Sequence, residues 1–441
     1  MLKRFSKFNI DLLKYGVAAI IIAVPLYPKF PLLAVPGTHV SVRLEDLLLF
    51  FVAVVWFFTI LPNLRNFAKN KINYAILLFL TIGLLSVASG VFLTQTAQLH
   101  LGILHWARRV EYLLCFFIGM AVMKGNSREK NLAFFIKCLL MVVVLAFIYG
   151  FGQKQFSWPV ITTQNNEYAK GVALRYMPGG HLVSTFAGHY DLATFLVLIF
   201  PLLYILLFSS DKILEKLNIF RKIIFTRLVL LATCFGGLWM LVYSASRISI
   251  VSYFGSVTLG LIFAKRIKYI PLVIFASLIF ISFSSNLLDR YMNIIEVYAQ
   301  EEVVEDRSTS IRLNVEWPRA IRAFTKNPIL GTGFSSITLA TDNDYLRLLG
   351  EVGILGFSAF ILIFYKIGLL ILKNYKILWE ESFSAVFIKA VVVGIPGVFL
   401  NAVFIDIFES SKFAIIFWLF LGITVSLLFN NYENKSSKNI T

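Results

Sequence analysis

Residues 412–430, KFAIIFWLFLGITVSLLFN, decide the fold class, and Lys412 is the only ionisable residue in them. A helix of about 20 mostly apolar residues is long enough to cross the hydrocarbon core of a bilayer. Working outward from this stretch, we predict an all-α integral membrane protein of about twelve transmembrane helices. The predicted spans begin near Asp11, Asp46, Ile72, Trp106, Asn131, Tyr190, Arg227, Ser249, Tyr269, Tyr345, Phe383 and Lys412.

The composition excludes a soluble enzyme, a secreted disulfide scaffold and a disordered chain. Of the 441 residues, 58% are hydrophobic and 15% are charged, and the mean hydropathy is +0.79. Soluble domains have about 25% charged residues. We expect residues 1–441 to form a single polytopic membrane domain. Three cysteines lie singly in apolar runs, and we interpret them as packing residues: Cys115, Cys138 and Cys234.

The basic residues indicate the orientation of the chain. There are 41 Lys and Arg against 24 Asp and Glu, a net charge of +17. They occur in short clusters between apolar runs, which is typical of membrane-flanking charges, and we expect no nucleic acid as a partner. More than half lie in the segments that would be cytoplasmic if both ends of a twelve-span chain were cytoplasmic. The first apolar run lacks a small-residue cleavage site, so we expect an uncleaved first span.

Two predicted outer loops are long, residues 150–189 and residues 285–344. The second contains an acidic run (Glu301, Glu302, Glu305, Asp306), a helix-like segment from Ser308 to Phe324, and the turn-rich NPILGTGF at 327–334. Long loops in a compact fold are usually functional or disordered. The periodicity and aromatic content of this one favour function. The chain shows no internal repeat of fixed period, which disfavours the repeat-built transporter folds.

Arginines on the predicted outer side are the strongest candidates for a substrate site. Arg247 lies in SASRIS, at a tight turn between two spans. Arg312, Arg319 and Arg322 would share one side of a continuous helix, although Pro318 would either kink that helix or begin a new one. Guanidinium groups pair bidentately with phosphate oxygens, so these residues favour an anionic or diphosphate substrate. The alternatives are a headgroup anchor for Arg247 and a solvated basic face for the other three.

Other polar residues give weaker signals. His189 and Asp191 head the sixth predicted span, where they could line a site or cap a helix, and Arg175 lies upstream in the same loop. Arg108 and Arg109 begin the fourth predicted span, and we assign them to snorkelling. We predict no metal, because the histidines lack metal-ligand spacing, and no cofactor, because no nucleotide-binding motif is present. Energy for a reaction would then arrive with the substrate, for which an activated lipid-linked donor on the outer face is the natural candidate.

Two stretches resemble the signature of the O-antigen ligase and Wzy-type polymerase superfamily, bacterial multispanning glycosyltransferases of the GT-C type. They are IRLNVEWPRAIRAFTKNPILGTGFSS (311–336) and DNDYLRLLGEVGILG (342–356). STFAGHYDLATF (184–195) and the Ser246–Arg247 pair also fit, so the resemblance covers Ser184 to Phe357. The positions that match the motif are Arg312, Trp317, Asn327, Pro328, Gly331, Gly333, Asp342, Asn343, Gly353 and Gly356.

The resemblance implies glycan transfer outside the bacterial cytoplasmic membrane. The donor would be a glycan on undecaprenyl diphosphate and the acceptor a sugar hydroxyl. Arg247 and Arg312 match the arginines that hold the diphosphate leaving group in the family, and we place Arg319 with them. Such guanidinium groups stabilise the charge that develops on the leaving group, so no metal would be needed. Further contacts are expected from Arg175, His189, Arg322, Asn343 and Glu351.

Asp342 departs from the ligase pattern, in which histidine typically occupies the first position of the pair. A carboxylate here could act as general base or orient the acceptor hydroxyl. The change favours a polymerase over a ligase. The alternative is that Asp342 and Asn343 cap the tenth predicted span, since both residue types are favoured at helix N-caps. Glu351, nine residues further along the chain, is a second carboxylate candidate that would lie deeper in the membrane.

The sequence therefore predicts a metal-independent polymerase of undecaprenyl-diphosphate-linked repeat units. Its other expected partners are membrane lipid and a polysaccharide chain-length regulator. Two alternatives remain: a ligase that moves glycan onto lipid A-core or protein, and a transporter or flippase for an anionic lipid or solute. We expect the transporter to be less favoured because the spans lack a set of buried charges near the midplane.

Overall fold

The computed structural model describes residues 2–29, 31–34, 41–125, 127–160, 174–177, 179–284, 307–337 and 340–438. Two short antiparallel pairs join β1 (Pro31–Ala34) to β2 (Ser41–Arg43) and β3 (Pro159–Val160) to β4 (Leu174–Arg175). The rest of the regular structure is helical. The helices are α1 Leu2–Leu26, α2 Leu44–Ile60, α3 Leu64–Lys69, α4 Lys71–Phe92, α5 Leu99–Val122, α6 Arg128–Phe156, α7 His189–Leu207, α8 Asp211–Leu217, α9 Ile223–Ser244, α10 Arg247–Phe263, α11 Ile270–Ser282, α12 Arg307–Ile311, α13 Trp317–Lys326, α14 Asp344–Lys373, α15 Phe383–Ala402 and α16 Ser411–Lys438.

Among the described residues, seven helices are long and apolar enough to cross a membrane: α4, α6, α7, α9, α14, α15 and α16 as far as Phe429. This confirms an all-α membrane protein. Each of the twelve predicted spans coincides with a helix, but α1, α2, α5, α10 and α11 are not among the seven. Of these, α2, α10 and α11 have 17, 17 and 13 residues. Twelve crossings, the cytoplasmic ends and the single domain 1–441 therefore stay predictions.

The helices α7 and α16 form the centre of the bundle. Both helices are apolar on all sides, so most of each is buried within the protein. The buried share of the most apolar stretch is 83% in α7 and 94% in α16. α7 packs against α9, α10 and α15, and α16 packs along α5. Glycines allow that second pair to approach closely, since a Cβ at Gly119 or Gly422 would meet the backbone of the opposite helix. The three cysteines are buried and unpaired.

The two predicted outer loops are more helical than the sequence indicated. α6 continues to Phe156, so the first connection begins there rather than at residue 150. In the second, a continuous helix runs from α12 through a π-helical turn, Arg312–Glu316, into α13, and this confirms the helix expected from Ser308 to Phe324. Residues 285–306, with the acidic run, lie outside the described residues.

The NPILGTGF segment docks into a break in α14. Gly353 has φ +64° and ψ −172°, which no helical residue adopts, and it divides α14 into two halves. Backbone hydrogen bonds then join the segment to the break, from Thr332 N to Gly350 O (3.0 Å), from Gly333 N to Glu351 O (2.9 Å) and from Ile354 N to the carbonyl of Pro328 (2.8 Å). The motif glycines thus allow the two backbones to touch, and Gly350 of α14 lies against Ala320 and Ala323 of α13.

Gly353→Ala is expected to lower the free energy of unfolding by about 1–3 kcal/mol, because alanine at a positive φ is strained and its Cβ would meet the carbonyl oxygen of Ile329. Thermal unfolding of the purified protein in detergent measures the effect. Gly368→Ala is the matched control, since Gly368 lies in the same helix with open space at its Cβ. Equal melting temperatures for the two variants would contradict the role given to Gly353.

Candidate functional site

Arg312 and Asp342 form an ion pair between the first residue of the π-helical turn and the residue two before α14. The Arg312 guanidinium donates from Nη2 (2.8 Å) and Nε (3.1 Å) to Oδ2 of Asp342. The side chains are 11% and 25% exposed, so the pair is accessible from one side. π-helical turns occur frequently at functional sites. Two residues that the sequence selected separately are therefore in direct contact.

Asp342 is held by its neighbours and does not cap α14. Asn343 performs that role, since its side-chain oxygen accepts from the backbone N–H of Leu346 at 3.0 Å. The carboxylate of Asp406 accepts from the backbone N–H groups of Thr341 (2.7 Å) and Asn343 (3.1 Å), on either side of Asp342. Asp342 has φ +49°, a left-handed conformation that Asp and Asn tolerate better than most residues. Its carboxylate is thereby directed to Arg312.

The N-terminus of α7 provides a third side of the site. His189 stacks on His181, with ring centroids 4.4 Å apart, and lies against Tyr190 at 3.9 Å. The phenol oxygen of Tyr190 lies close to the Arg312 guanidinium, and with Asp342 it raises the pKa of Arg312 against the effect of burial. His189, a predicted contact residue, is thus one residue from a side chain that touches the Arg312–Asp342 pair.

Glu316 is a member of the site that the sequence did not identify. Burial and the nearby carboxylate of Asp342 raise its pKa to about 7. Burial likewise raises the pKa of Asp342, while Arg312 acts in the opposite direction. Among the described residues, Glu316 Oε2, Trp317 Nε1 and Arg319 Nη1 are buried without a hydrogen-bond partner. Adjacent buried polar atoms of this kind favour a site that binds a polar substrate.

The three arginines of the helical segment lie in different environments. A π-helical turn contains an extra residue, which rotates everything beyond it relative to a regular α-helix. Arg312 therefore pairs with Asp342, Arg319 is partly buried beside Glu316, and Arg322 is exposed. Pro318 is the second residue of α13, directly after the π-helical turn, and the helix continues through it with one backbone N–H fewer. A diphosphate role for Arg319 and a substrate contact of Arg322 stay predictions.

Two other predicted residues lie on separate elements. Arg247 is the first residue of α10, and the preceding Ser246 bonds to Ser249 (2.7 Å), which in turn donates to Asn401 of α15 (2.8 Å). The α10 N-terminus is thereby fixed to α15, and α10 also packs on α7. Arg175 lies in β4, and its side chain is outside the described residues. Their roles in binding the substrate stay predictions.

A second group of charged residues is largely buried, and we call it the central charge cluster. Arg347 pairs with three of its members, Asp406 (2.9 Å), Glu409 (3.5 Å) and Glu351 (3.7 Å). Glu351, predicted as a second catalytic carboxylate, thus lies against Arg347. The members are Arg109, Asp344, Arg347, Glu351, Asp406 and Glu409.

The interpretation of Arg108 and Arg109 as snorkelling residues at the start of a span is wrong. α5 begins at Leu99, so both lie near its middle, and they are only 8% and 7% exposed. Arg108 makes two hydrogen bonds to Asp46 (2.9 and 3.0 Å), and Arg109 pairs with Glu409 and donates to the carbonyl of Phe408 (2.9 Å). The expectation that the spans lack a set of buried charges near the midplane stays a prediction, although Arg108 and Arg109 are buried within α5. An arginine inside an apolar run is costly and was the signal that could have identified them.

The raised pKa of Glu316 predicts a pH dependence of stability. Its pKa in the folded protein, about 7, is above the usual value of 4.5, so its contribution to stability is complete below pH 4.5 and is lost as the pH rises through 7. Glu316→Gln should therefore become more stable relative to the native protein between about pH 5 and about pH 8. Melting temperatures across this range, with the exposed Glu215→Gln as control, measure it. Parallel curves for the native protein and Glu316→Gln would contradict the raised pKa.

The fold and the charged site define a polytopic membrane protein whose partly buried ion pair precedes a broken helix. Residues 228–361, from α9 into α14, match the family model of the O-antigen ligase. This confirms the resemblance to the O-antigen ligase and polymerase superfamily, whose members are glycosyltransferase-like or ligase enzymes that use lipid-linked glycans. No curated protein matches the chain. The matched region contains Arg247, Arg312, Glu316, Arg319, Asp342 and Glu351.

Proposed function

We propose that the chain polymerises oligosaccharide repeat units carried on undecaprenyl diphosphate. A growing glycan would pass from its lipid carrier to the nonreducing end of another lipid-linked repeat unit, on the outer face of the bacterial cytoplasmic membrane. The observation that supports this most directly is the Arg312–Asp342 pair, which is partly buried and lies within the region that matches the family. A cation for a leaving diphosphate and a carboxylate for an incoming hydroxyl are the two groups that such a transfer requires.

The pair provides a chemical route for the transfer. Arg312 can exchange the carboxylate of Asp342 for phosphate oxygens of the donor, and Arg247 and Arg319 would add further charge. Asp342, released from the ion pair, takes the proton of the acceptor hydroxyl. The acceptor oxygen forms the new bond to the anomeric carbon, the bond from that carbon to the diphosphate oxygen breaks, and the diphosphate leaves with the electron pair. Arg312 stabilises the charge on the leaving group.

The carboxylate at position 342 supports polymerisation over ligation. Family ligases typically carry histidine there, whereas Asp342 in this chain has its pKa raised by burial and is positioned by Asp406 on both sides. A ligase that transfers finished glycan to lipid A-core or protein is the alternative within the same fold. Deletion of the gene distinguishes them in the cell. Loss of the glycan ladder, leaving a single repeat unit, indicates a polymerase, and long polymer retained on the lipid carrier indicates a ligase.

A transporter for an anionic lipid or solute is the second candidate, and the buried charges of α5 and α14 favour it. Purified protein in detergent, given lipid-linked repeat units alone, separates the two classes. A transferase makes longer glycans on the carrier without a membrane, and a transporter makes none. Movement of the lipid across liposomes, together with no new glycosidic bond, would overturn the proposed function.

A further inference from the structure

A charged cavity lies between the chain after α1, the starts of α2 and α16, and the middle of α5. Its volume is about 80 Å³, and its lining includes Lys29, Arg43, His105 and Arg108. Lys29 follows α1, Arg43 precedes α2, and Arg108 comes from the middle of α5. A polar cavity holds one water in about 10–15 Å³, so this one has room for a group several times larger.

Most cations around this cavity are already paired. Arg43 contacts Glu45 at 3.3 Å, and Arg108 makes its two bonds to Asp46. Lys412 has no exposure and donates to the backbone carbonyls of Pro25 (3.2 Å), Tyr27 (2.7 Å) and Thr185. The carboxylate of Glu409, which also lines the cavity, belongs to the central charge cluster.

Lys29 is the exception. It is 8% exposed and lines the cavity, yet it makes no hydrogen bond or ion pair with any of the described residues. Burial lowers its pKa, and the carboxylate of Asp191 opposes this effect more than that of Glu45 does. A buried ammonium group without a partner costs several kcal/mol, which an anion in the cavity would offset.

The cavity and the Arg312–Asp342 pair are connected by adjacent residues. Asp191, the acid that acts on Lys29, follows Tyr190, which lies close to Arg312. On the other side, Glu409 contacts Arg347, and Arg347 contacts Asp406, which bonds to the backbone on both sides of Asp342. A group bound in the cavity would therefore be linked through these residues to the site where we place the transfer.

We propose that this cavity is an anion subsite in which Lys29, with Arg43 and Arg108, binds a single carboxylate or phosphate group. Assigning that group to the acceptor, as an acidic sugar or a phosphate of the second lipid-linked glycan, rests on the proposed function. A membrane lipid headgroup offers the same chemistry. Binding itself requires no transfer, so it can be tested without a donor.

The test is the thermal stability of the full chain, titrated with inorganic phosphate and with glucuronate, and measured in nanodiscs of phosphatidylglycerol and of phosphatidylcholine. We expect an anion-dependent, saturable rise in melting temperature for the native protein. Lys29→Met should weaken the apparent affinity about tenfold or more, the usual value of a charge-assisted hydrogen bond, without lowering the melting temperature in the absence of anion. Comparing the two proteins at equal salt removes the general stabilisation that phosphate gives to folded proteins.

Lys389→Met is the matched control, because Lys389 is a second buried lysine, 2% exposed, whose ammonium already donates to the carbonyl of Glu380 at 2.6 Å. This variant should lose stability and keep the anion response. A response to glucuronate or phosphate supports a soluble or glycan group, and a response to phosphatidylglycerol alone supports a lipid headgroup. An equal response in the native protein and Lys29→Met, or none in the native protein, would overturn the subsite. A polymerisation assay on the same samples reports independently on the proposed function.

Discussion

Arg312→Ala is expected to reduce glycan transfer by about 10²–10³-fold, the usual cost of removing one donor that stabilises a leaving group. The variant loses the only side chain seen to contact Asp342 through a charge-assisted bond among the described residues. Arg312→Lys should recover little of the activity, because an ammonium group cannot make the two-pronged contact that a planar guanidinium makes with phosphate oxygens. Initial rates of repeat-unit polymerisation, with protein purified to equal amounts, measure the effect. Arg247→Ala is expected to behave in the same way.

Arg322→Ala is the matched control for Arg312→Ala. It removes the same charge from the same helical segment, but Arg322 is exposed beyond the π-helical turn. We expect its rate to remain within about twofold of the native value, as for most exposed substitutions. Equal losses in both variants would indicate a general effect of positive charge on substrate attraction. Full activity of Arg312→Ala would eliminate the diphosphate role.

Asp342→Asn is expected to lower kcat by about 10²–10⁴-fold with little change in KM, because removal of a general base acts on the chemical step. The substitution also removes the charge that pairs with Arg312, but it leaves the backbone and the helix cap unchanged. Asparagine tolerates the left-handed φ of +49°, and the cap of α14 belongs to Asn343. Purified variant and native protein are compared over a range of acceptor concentrations.

Asn343→Asp provides the control next to that position. It keeps a capping oxygen for the backbone N–H of Leu346, so both stability and rate should stay near the native values. If Asp342→Asn retains full kcat, Asp342 only positions Arg312. Glu316, whose pKa is about 7, would then become the candidate base, and Glu316→Gln would show the loss instead.

The apolar runs were sufficient to predict the helices, but not their exact ends. All twelve segments are helical, because a run of about 20 apolar residues in lipid can satisfy its backbone hydrogen bonds by itself only as a helix. The start of α5 was misplaced, since Arg108 and Arg109 resemble an interfacial boundary when their partners are unknown. Those partners, Asp46 and Glu409, come from distant parts of the chain. Pairing at such separations cannot be inferred from local pattern.

The site was predicted in part for a similar reason. Arg312 and Asp342 were selected by charge and by motif, and they are in contact. Glu316 carried no signal, because a glutamate in an exposed-looking helix is ordinary until the fold places it beside Asp342. The separate environments of Arg312 and Arg322 depend on one π-helical turn, which the sequence does not mark. The NPILGTGF motif was read as a turn, whereas its glycines serve backbone contact with the break in α14.

The pairing of Arg109 also has a consequence for biogenesis. Arg108 pairs with Asp46, which precedes it in the chain and is therefore synthesised first. Arg109 donates to the carbonyl of Phe408, which lies 299 positions later. An unneutralised arginine near the middle of a helix is expensive in lipid. We therefore expect α5 to stay at a protein-lined or hydrated boundary during synthesis until Phe408 and Glu409 have been made. Full burial of α5 in the bundle would then depend on the segment that joins α15 to α16, rather than on insertion of each helix in turn.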